Sequence, residues 1–232
     1  MIYKKGVACN ALFEKMENYV KKYDYVIWDF NGTLLDDVMT GIDAVNTLLI
    51  ERGLAPIESV ERYRSVFRFP VIEYYKDIGF DFSKESSEEL APKWVALYLE
   101  NVKSAGLYPD VVESLDRLRQ EGVGLSVLSA SELGMLEDLL KKHGIYGYFE
   151  EVMGLDNIHA GSKLALAQDW RARHVGARAL FIGDTDHDVD TAKELGADCV
   201  LVCRGHQGRE FLESFGVPVC NSISEVLNNY VF

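Results

Sequence analysis

Four short runs of the chain are apolar almost throughout and end on polar residues or glycine: YVIWDF (25–30), VGLSVLS (123–129), ALFIG (179–183) and DCVLVC (198–203). Runs of this length, rich in β-branched and aromatic residues, predict strands buried on both faces of a parallel sheet. Between them the apolar positions take up the period of an amphipathic helix. PDVVESLDRLRQEG starts at Pro109 and Asp110 and stops at Gly122. SELGMLEDLLKKHG takes Ser131 as its N-cap, carries two lysines and His143 in its last turn, and meets Gly144. KLALAQDWRARH, DVDTAKELG and SISEVLNNY repeat the pattern. Strand alternating with helix predicts an α/β fold with a doubly wound, Rossmann-like parallel sheet. Right-handed crossovers would then gather the carboxyl ends of its strands into one crevice.

One connection breaks that rhythm. From Asp36 to Tyr108 the chain runs through about seventy residues of helical periodicity, far longer than an ordinary strand-to-helix loop. Its segments are TGIDAVNTLLIERG, VERYRSVFR, VIEYYKDIG and SSEELAPKWVALYLENVKSAG, the last opening on a capping-box pattern at Ser86 and Glu89. The expected organisation is a core built from residues 1–37 and 107–232, with an inserted α-helical cap domain over 38–106. A cap inserted after the first strand would sit above the crevice and could close over a ligand. The first two dozen residues read as a helix leading into the first strand.

Composition narrows the function classes. With 232 residues, 48% of them hydrophobic, the chain can bury a full core. A formal charge of −13 opposes general binding to nucleic acid or to an anionic membrane surface. A phosphorylated ligand would therefore need local help from a cation or a few placed Lys and Arg side chains. Lys4 and Lys5 are followed by a mixed stretch rather than an apolar run, and no membrane-length segment follows, so a cytoplasmic location is expected. Cys9, Cys199, Cys203 and Cys220 lack metal-type spacing and read as small buried hydrophobes. The five histidines also lack ligand spacing, although His187 and His206 fall near strand ends. Nothing in the pattern fixes an oligomeric state.

The chemistry-bearing residues cluster at the strand ends. Asp29 follows YVIW, Ser129 follows LSVL, Lys163 opens a helix in AGSKLAL, and Asp184 with Asp188 stands in FIGDTDHDVD. Each alone has an ordinary reading as a turn, a cap or a solvated loop residue. Fold logic brings all four features to one crevice. Three carboxylates share a small crevice with a phosphate dianion only if a cation and a lysine offset them.

In these four motifs and their order the chain resembles the haloacid dehalogenase-like hydrolases, and within them the helically capped phosphatases of the phosphoglycolate phosphatase and β-phosphoglucomutase type. The resemblance runs from Tyr25 onward. The family's first motif is Asp-x-Asp-Gly-Thr, and here it stands as Asp29-Phe30-Asn31-Gly32-Thr33. The resemblance implies that Asp29 attacks phosphorus and forms an aspartyl-phosphate. It implies a Mg2+ cofactor held by Asp29, the backbone carbonyl of Asn31, Asp184 and Asp188, an all-oxygen donor set that suits a hard cation. Gly32, Thr33, Ser129 and Ala130 would hold the phosphoryl oxygens of a small phosphorylated metabolite, and Lys163 would neutralise charge on phosphate and nucleophile. Arg68, or Arg64, in RYRSVFRFPV would meet a carboxylate or second phosphate on the substrate.

Asn31 is the departure. In the family the carboxylate at this position protonates the leaving group and then deprotonates the attacking water, and an amide does neither. Positioned acid–base catalysis is worth about 10²- to 10⁴-fold, so an attenuated phosphatase is expected. Three explanations stay open: another proton shuttle among Asp36, Asp37 or His187, an amide introduced to trap an intermediate, or a sensor that binds phosphorylated ligands without turnover. Phosphonatases of the family also lack this carboxylate and use a cap lysine, for which Lys76 stands as the candidate.

Overall fold

A computed structural model describes residues 22–155 and 163–232. The expected N-terminal helix, Cys9 and His159 lie outside these. The predicted strands form as β1 (Tyr25–Trp28), β4 (Gly124–Glu132), β6 (Ala179–Gly183) and β7 (Asp198–Val202). Two strands that the apolar pattern does not reveal, β5 (Glu151–Leu155) and β8 (Val219–Cys220), close the edges of one six-stranded sheet in the order β5-β4-β1-β6-β7-β8. Every pairing in it is parallel. Both missed strands are short or interrupted: β8 has two residues, and β5 carries Gly154, where a Cβ would lie 2.8 Å from the Cα of Leu133.

Alternation within the strands builds two core layers. Val26, Trp28, Leu125, Val127, Leu180 and Ile182 face one side, where they pack with Leu115, Leu118, Leu136 and Leu140. Those leucines come from α5 (Val111–Gln120) and α6 (Leu133–Lys142). Ile27, Leu128 and Phe181 face the other side, against Ala167 and Trp170 of α7 (Lys163–Arg173) and Ala192 and Leu195 of α8 (Asp186–Leu195). Helices on both faces make the sheet doubly wound, and residues of such runs are apolar throughout because neither face meets water. Strand β1 is central, with the chain building outward first through β4 and β5 and then through β6 to β8. The strand order therefore reverses at β1, the position at which ligands bind in such sheets.

The long connection leaves and re-enters through a ribbon of β2 (Leu35–Asp36) and β3 (Gly106–Leu107), paired antiparallel as Leu35↔Leu107 and Asp36↔Gly106. Between them lie α1 (Val38–Glu51), α2 (Val60–Val66), α3 (Val71–Asp77) and α4 (Ser87–Asn101). These helices bury their own cluster, including Ile42, Val45, Leu48, Leu49, Tyr63, Tyr74 and Leu90. The expected capping box closes the start of α4, with Ser86 Oγ accepting from Glu89 N at 3.3 Å and Glu89 Oε2 accepting from Ser86 N at 3.0 Å. No helix among the described residues is long and apolar enough to cross a membrane.

One expected cap is displaced. Strand β4 runs on to Glu132, and it is the Glu132 carboxylate that caps α6, accepting from Gly134 N at 3.0 Å and Met135 N at 2.9 Å. Ser131 is free of that task because its hydroxyl donates to Asn31 Oδ1 at 2.7 Å.

Candidate active site

The carboxyl end of β1 places Asp29 at the reversal point, its N–H donating to Ile182 O of β6 at 2.9 Å. The side chain is buried and contacts Lys163 Nζ, which opens α7. The same ammonium donates to Asp188 Oδ1 at 2.8 Å. Thr33 Oγ1 donates to Asp184 Oδ1 at 3.2 Å. Asp29, Asp184 and Asp188 each offer a carboxylate oxygen, and these all lie within 4.8 Å of one another.

Local structure aims each acid. Asp188 sits in the first turn of α8, and its Oδ2 accepts from Asp184 N at 3.0 Å, Thr185 N at 2.9 Å and Thr185 Oγ1 at 2.9 Å. Asp184 Oδ2 accepts from His206 N at 2.7 Å, which ties the loop after β7 to the loop after β6. Fully buried Gln207 clamps Asp186 at two points, accepting from its N–H at 2.8 Å and donating to its Oδ1 at 2.9 Å. Arg204 bridges Asp110 at 2.6 Å and Thr33 O at 3.1 Å, with its guanidinium 4.0 Å over the Tyr108 ring.

Gly32 is required at the turn between these groups. Its φ is +70°, and a Cβ there would lie 2.3 Å from Asp184 Oδ2 and 2.7 Å from His206 Cδ2. Gly32→Ala is expected to destabilise the chain by about 2 kcal/mol or more, from left-handed strain and the displaced acid together, read by chemical denaturation.

Asn31 is held at both ends of its amide. Nδ2 donates to Asp37 Oδ2 at 2.9 Å and to Tyr98 Oη at 2.6 Å, while Oδ1 accepts from Ser131 Oγ at 2.7 Å and Ser129 Oγ at 3.5 Å. Asp37 is the hub: it also accepts from Gly32 N at 2.8 Å and Tyr98 Oη at 2.5 Å, and lies 3.3 Å from His206 Nε2. Tyr98 comes from α4, so the inserted helices touch the loop after β1 directly. Ala130 follows Ser129 at the exposed end of this run.

Burial and neighbours set the charge states. Burial pushes the Asp29 carboxyl well up, and repulsion from Asp188 and Asp184 adds to it against the pull of Lys163. Burial likewise raises Asp184 to about 6, against the His206 imidazolium. Burial opposes ionisation of Asp37 too, but His206, Tyr98 and Asn31 outweigh it and hold Asp37 low. His206 rises to about 9, because Asp37 outweighs its own burial. Among the described residues at this crevice, four buried carboxylates thus face two cations, Lys163 and His206. The donor set and its charge imbalance fit a hard divalent cation.

The other sequence candidates sit as follows. Arg68 forms an ion pair with Asp77, and Lys76 pairs with Glu73 at 2.7 Å. Arg64 donates to Gly205 O at 2.8 Å and to the carbonyl of Arg204. The His187 ring stacks on Phe69 with centroids 3.7 Å apart. Asp36 lies exposed in the β2 ribbon, one residue from the buried Asp37. Among the cysteines, Cys220 is buried and Cys199 and Cys203 are half-buried. Sequence reasoning did not single out Tyr98, Gln207 or the Asp37–His206 contact. The Asp36-Asp37 pair beside the motif and the position of His206 near a strand end were the signals that pointed that way.

The sequence profile described as haloacid dehalogenase-like hydrolase matches residues 26–202. A phosphoglycolate phosphatase of Vibrio parahaemolyticus is 26% identical over 213 residues, covering 87% of this chain and 93% of its own. The solved structure of a haloacid dehalogenase-like family protein from Streptococcus pneumoniae superposes with a TM-score of 0.69 at 21% identity, over 90% of this chain and 99% of that one. Protein Tyrosine Kinase A of Mycobacterium tuberculosis superposes with a TM-score of 0.73 at 26% identity, over 89% and 97%. The profile spans β1 to β7 and so takes in every strand end that carries an acid of the crevice. The chain belongs to the haloacid dehalogenase-like hydrolase family.

Proposed function

We propose that this chain is a magnesium-dependent phosphatase that hydrolyses a small phosphomonoester through an aspartyl-phosphate on Asp29, slowed by the amide at position 31. The observation that carries this reading is Asp29 at the sheet's reversal point, in contact with Lys163 and within 4.8 Å of the carboxylates of Asp184 and Asp188. The phosphatase names of relatives such as that of Vibrio parahaemolyticus support it. Residues 38–106 serve as the cap in this reading, and the protein works in the cytoplasm.

Asp29, Asp184 and Asp188 would hold Mg2+ together with the Asn31 carbonyl, and the ion supplies charge neutralisation for phosphate among these acids. Lys163 holds the Asp29 carboxylate through an ammonium contact and offsets the charge of an arriving phosphoryl group. Ser129, Ala130, Gly32 and Thr33 rim the same loop ends and would bind its oxygens. Asp29 Oδ attacks phosphorus, the leaving oxygen departs with the bonding pair, and water then takes the phosphoryl group from Asp29. Asn31 has no proton to give at the first step and cannot accept one at the second.

Steady-state phosphate release from a panel of small phosphate esters, with and without Mg2+, tests the reading. Turnover that needs Mg2+ is expected, and Asn31→Asp should raise kcat on alkyl esters by on the order of 10²-fold. The new carboxylate would stand where the Asn31 amide meets Asp37 at 2.9 Å. Two carboxyls so close retain a proton between them, the form an acid catalyst needs. Ligand-induced stabilisation without any phosphate release would overturn the reading in favour of a sensor. The metal site has its own test, because Mg2+ at a hundredfold its Kd should stabilise the chain by about 2.7 kcal/mol. Differential scanning fluorimetry should show that shift in the parent and its loss in Asp184→Asn.

A further inference from the structure

Asn31, two residues after Asp29, has no proton to offer a leaving group, and the insert brings rings onto the neighbouring loops. Both hydrogens of Asn31 Nδ2 are already given, to Asp37 and to Tyr98, and Oδ1 is taken by Ser131. A leaving oxygen that reaches Asn31 finds no free N–H on it, and the nearby His206 imidazolium is already paired with Asp37 and Tyr63. The insert brings aromatic side chains onto the loops that carry the acids. Phe69 stacks on His187, one residue before Asp188, and the Phe67 ring lies 5.5 Å from the ring of His206. Trp94 stacks on Tyr98 with centroids 5.0 Å apart. Phe67, Phe69 and Trp94 are only half-buried and keep apolar area to present. Of the two arginines beside these rings in the chain, Arg64 is committed to the carbonyls of Arg204 and Gly205, and Arg68 faces Asp77 in a solvent-exposed pair.

We infer that the substrate is an aryl phosphate, a phosphomonoester of a phenol-type alcohol, and not an alkyl ester carrying a second anionic group. The inference rests on the phosphatase reading above and deepens it. As the bond from Asp29 Oδ to phosphorus forms, the bond from phosphorus to the aryl oxygen breaks and its electron pair stays on that oxygen. A phenol ionises near pKa 10, whereas a hydroxyl with no aromatic ring resembles water at about 15.7. The phenolate therefore leaves as an anion without an acid, and an alkoxide does not. Water then adds its oxygen to phosphorus, the bond from phosphorus to Asp29 breaks to restore the carboxylate, and the proton released by water passes through solvent to the phenolate. The products are one phenol and one inorganic phosphate. The rings of Phe67 and Phe69 meet the aryl group by stacking, a contact that a carboxylate-bearing alkyl group does not make.

Two measurements test this on the full chain. In the first, kcat/KM is measured for aryl phosphates of graded phenol pKa, including phosphotyrosine, and for glycerol phosphate and 2-phosphoglycolate, in the parent and in Asn31→Asp. The parent should prefer the aryl esters by on the order of 10²-fold, with rates falling steeply as leaving-group pKa rises, and Asn31→Asp should flatten that dependence. Equal slopes in the two proteins, or 2-phosphoglycolate matching phenyl phosphate in the parent, would overturn the inference while leaving the phosphatase reading intact. Hydrolysis of no ester at all overturns both. In the second, calorimetry compares phenylphosphonate with phosphonoacetate, neither of which turns over. Phenylphosphonate should bind more tightly, and Phe67→Ala with Phe69→Ala should weaken it about fivefold without weakening phosphonoacetate. Tighter binding of phosphonoacetate by the parent would sink the aryl preference independently of the chemistry.

Discussion

Asp29→Asn is expected to lower phosphate release by on the order of 10⁴-fold or more on every ester that the parent hydrolyses, with no loss of stability. On the proposed mechanism Asp29 has no substitute among the described residues of the crevice. Asp184 is bound by the His206 N–H at 2.7 Å and Asp188 by three donors at the start of α8, so neither is free to attack. The substitution keeps the side chain's shape, and the backbone anchor from Asp29 N to Ile182 O is untouched. It also removes an anion that burial and the neighbouring acids disfavour. The metal-free variant should accordingly melt at or above the parent's temperature. Measuring rate and melting temperature on the same samples separates a lost nucleophile from a lost fold. A variant that folds and still turns over at the parent's rate would remove Asp29 from the mechanism.

Trp170→Ala should produce the largest stability loss, about 3–5 kcal/mol, without touching the chemistry. Trp170 is fully buried in the layer between α7 and the sheet. Its indole meets the Tyr25 ring edge-on at 5.3 Å, stacks on His174 at 4.2 Å, and donates from Nε1 to Ser126 Oγ at 3.2 Å. Truncation would leave a cavity against β4 and strip the buried Ser126 hydroxyl of that partner, two costs that add. For a chain of this size the melting temperature should fall by about 10 °C. Lys163 opens the same helix seven residues earlier, so the fraction that remains folded should keep its KM. A rise in KM at low temperature would instead mean that α7 moves as a unit and carries Lys163 with it.

The sheet was legible where the chemistry of a buried strand left no choice. YVIW, LSVL, ALFIG and DCVLV face apolar layers on both sides, so their composition announces them, and their ends locate Asp29, Ser129 and Asp184 by topology alone. EVMGL did not announce itself because Glu151 and Val152 are only half-buried at the sheet edge and Gly154 serves a close approach of Leu133. The acid cluster was legible because its members occupy strand ends and first turns. The ring of groups around Asn31 was not. Tyr98 stands in the last turn of a long helix with no mark to separate it from the core tyrosines of the insert, and His206 meets Asp37 across most of the chain's length. Such contacts are fixed by how the inserted helices sit on the core, which periodicity does not encode. Asp37 is the intermediate case: its residue type beside the motif was suggestive, and only the strand-to-helix turn decides that it, and not Asp36, points inward.

The β2–β3 ribbon carries an evolutionary consequence. The chain leaves for the insert and returns from it across a single antiparallel step, Asp36 opposite Gly106, so the two ends stay adjacent whatever lies between them. Doubling or halving the length of an insert closed in this way changes the chain-entropy cost by only about 0.6 kcal/mol. Exchange of the entire helical insert between relatives is therefore thermodynamically cheap for the sheet and its acids. What such a chimera forfeits lies at the seam: the Tyr98 hydroxyl on Asn31 and Asp37, the Arg64 grip on the loop after β7, and the rings of Phe67 and Phe69 on His206 and His187. New substrate preferences on this scaffold can arise by recombination at the neck, with the residues of the seam left to adapt afterwards.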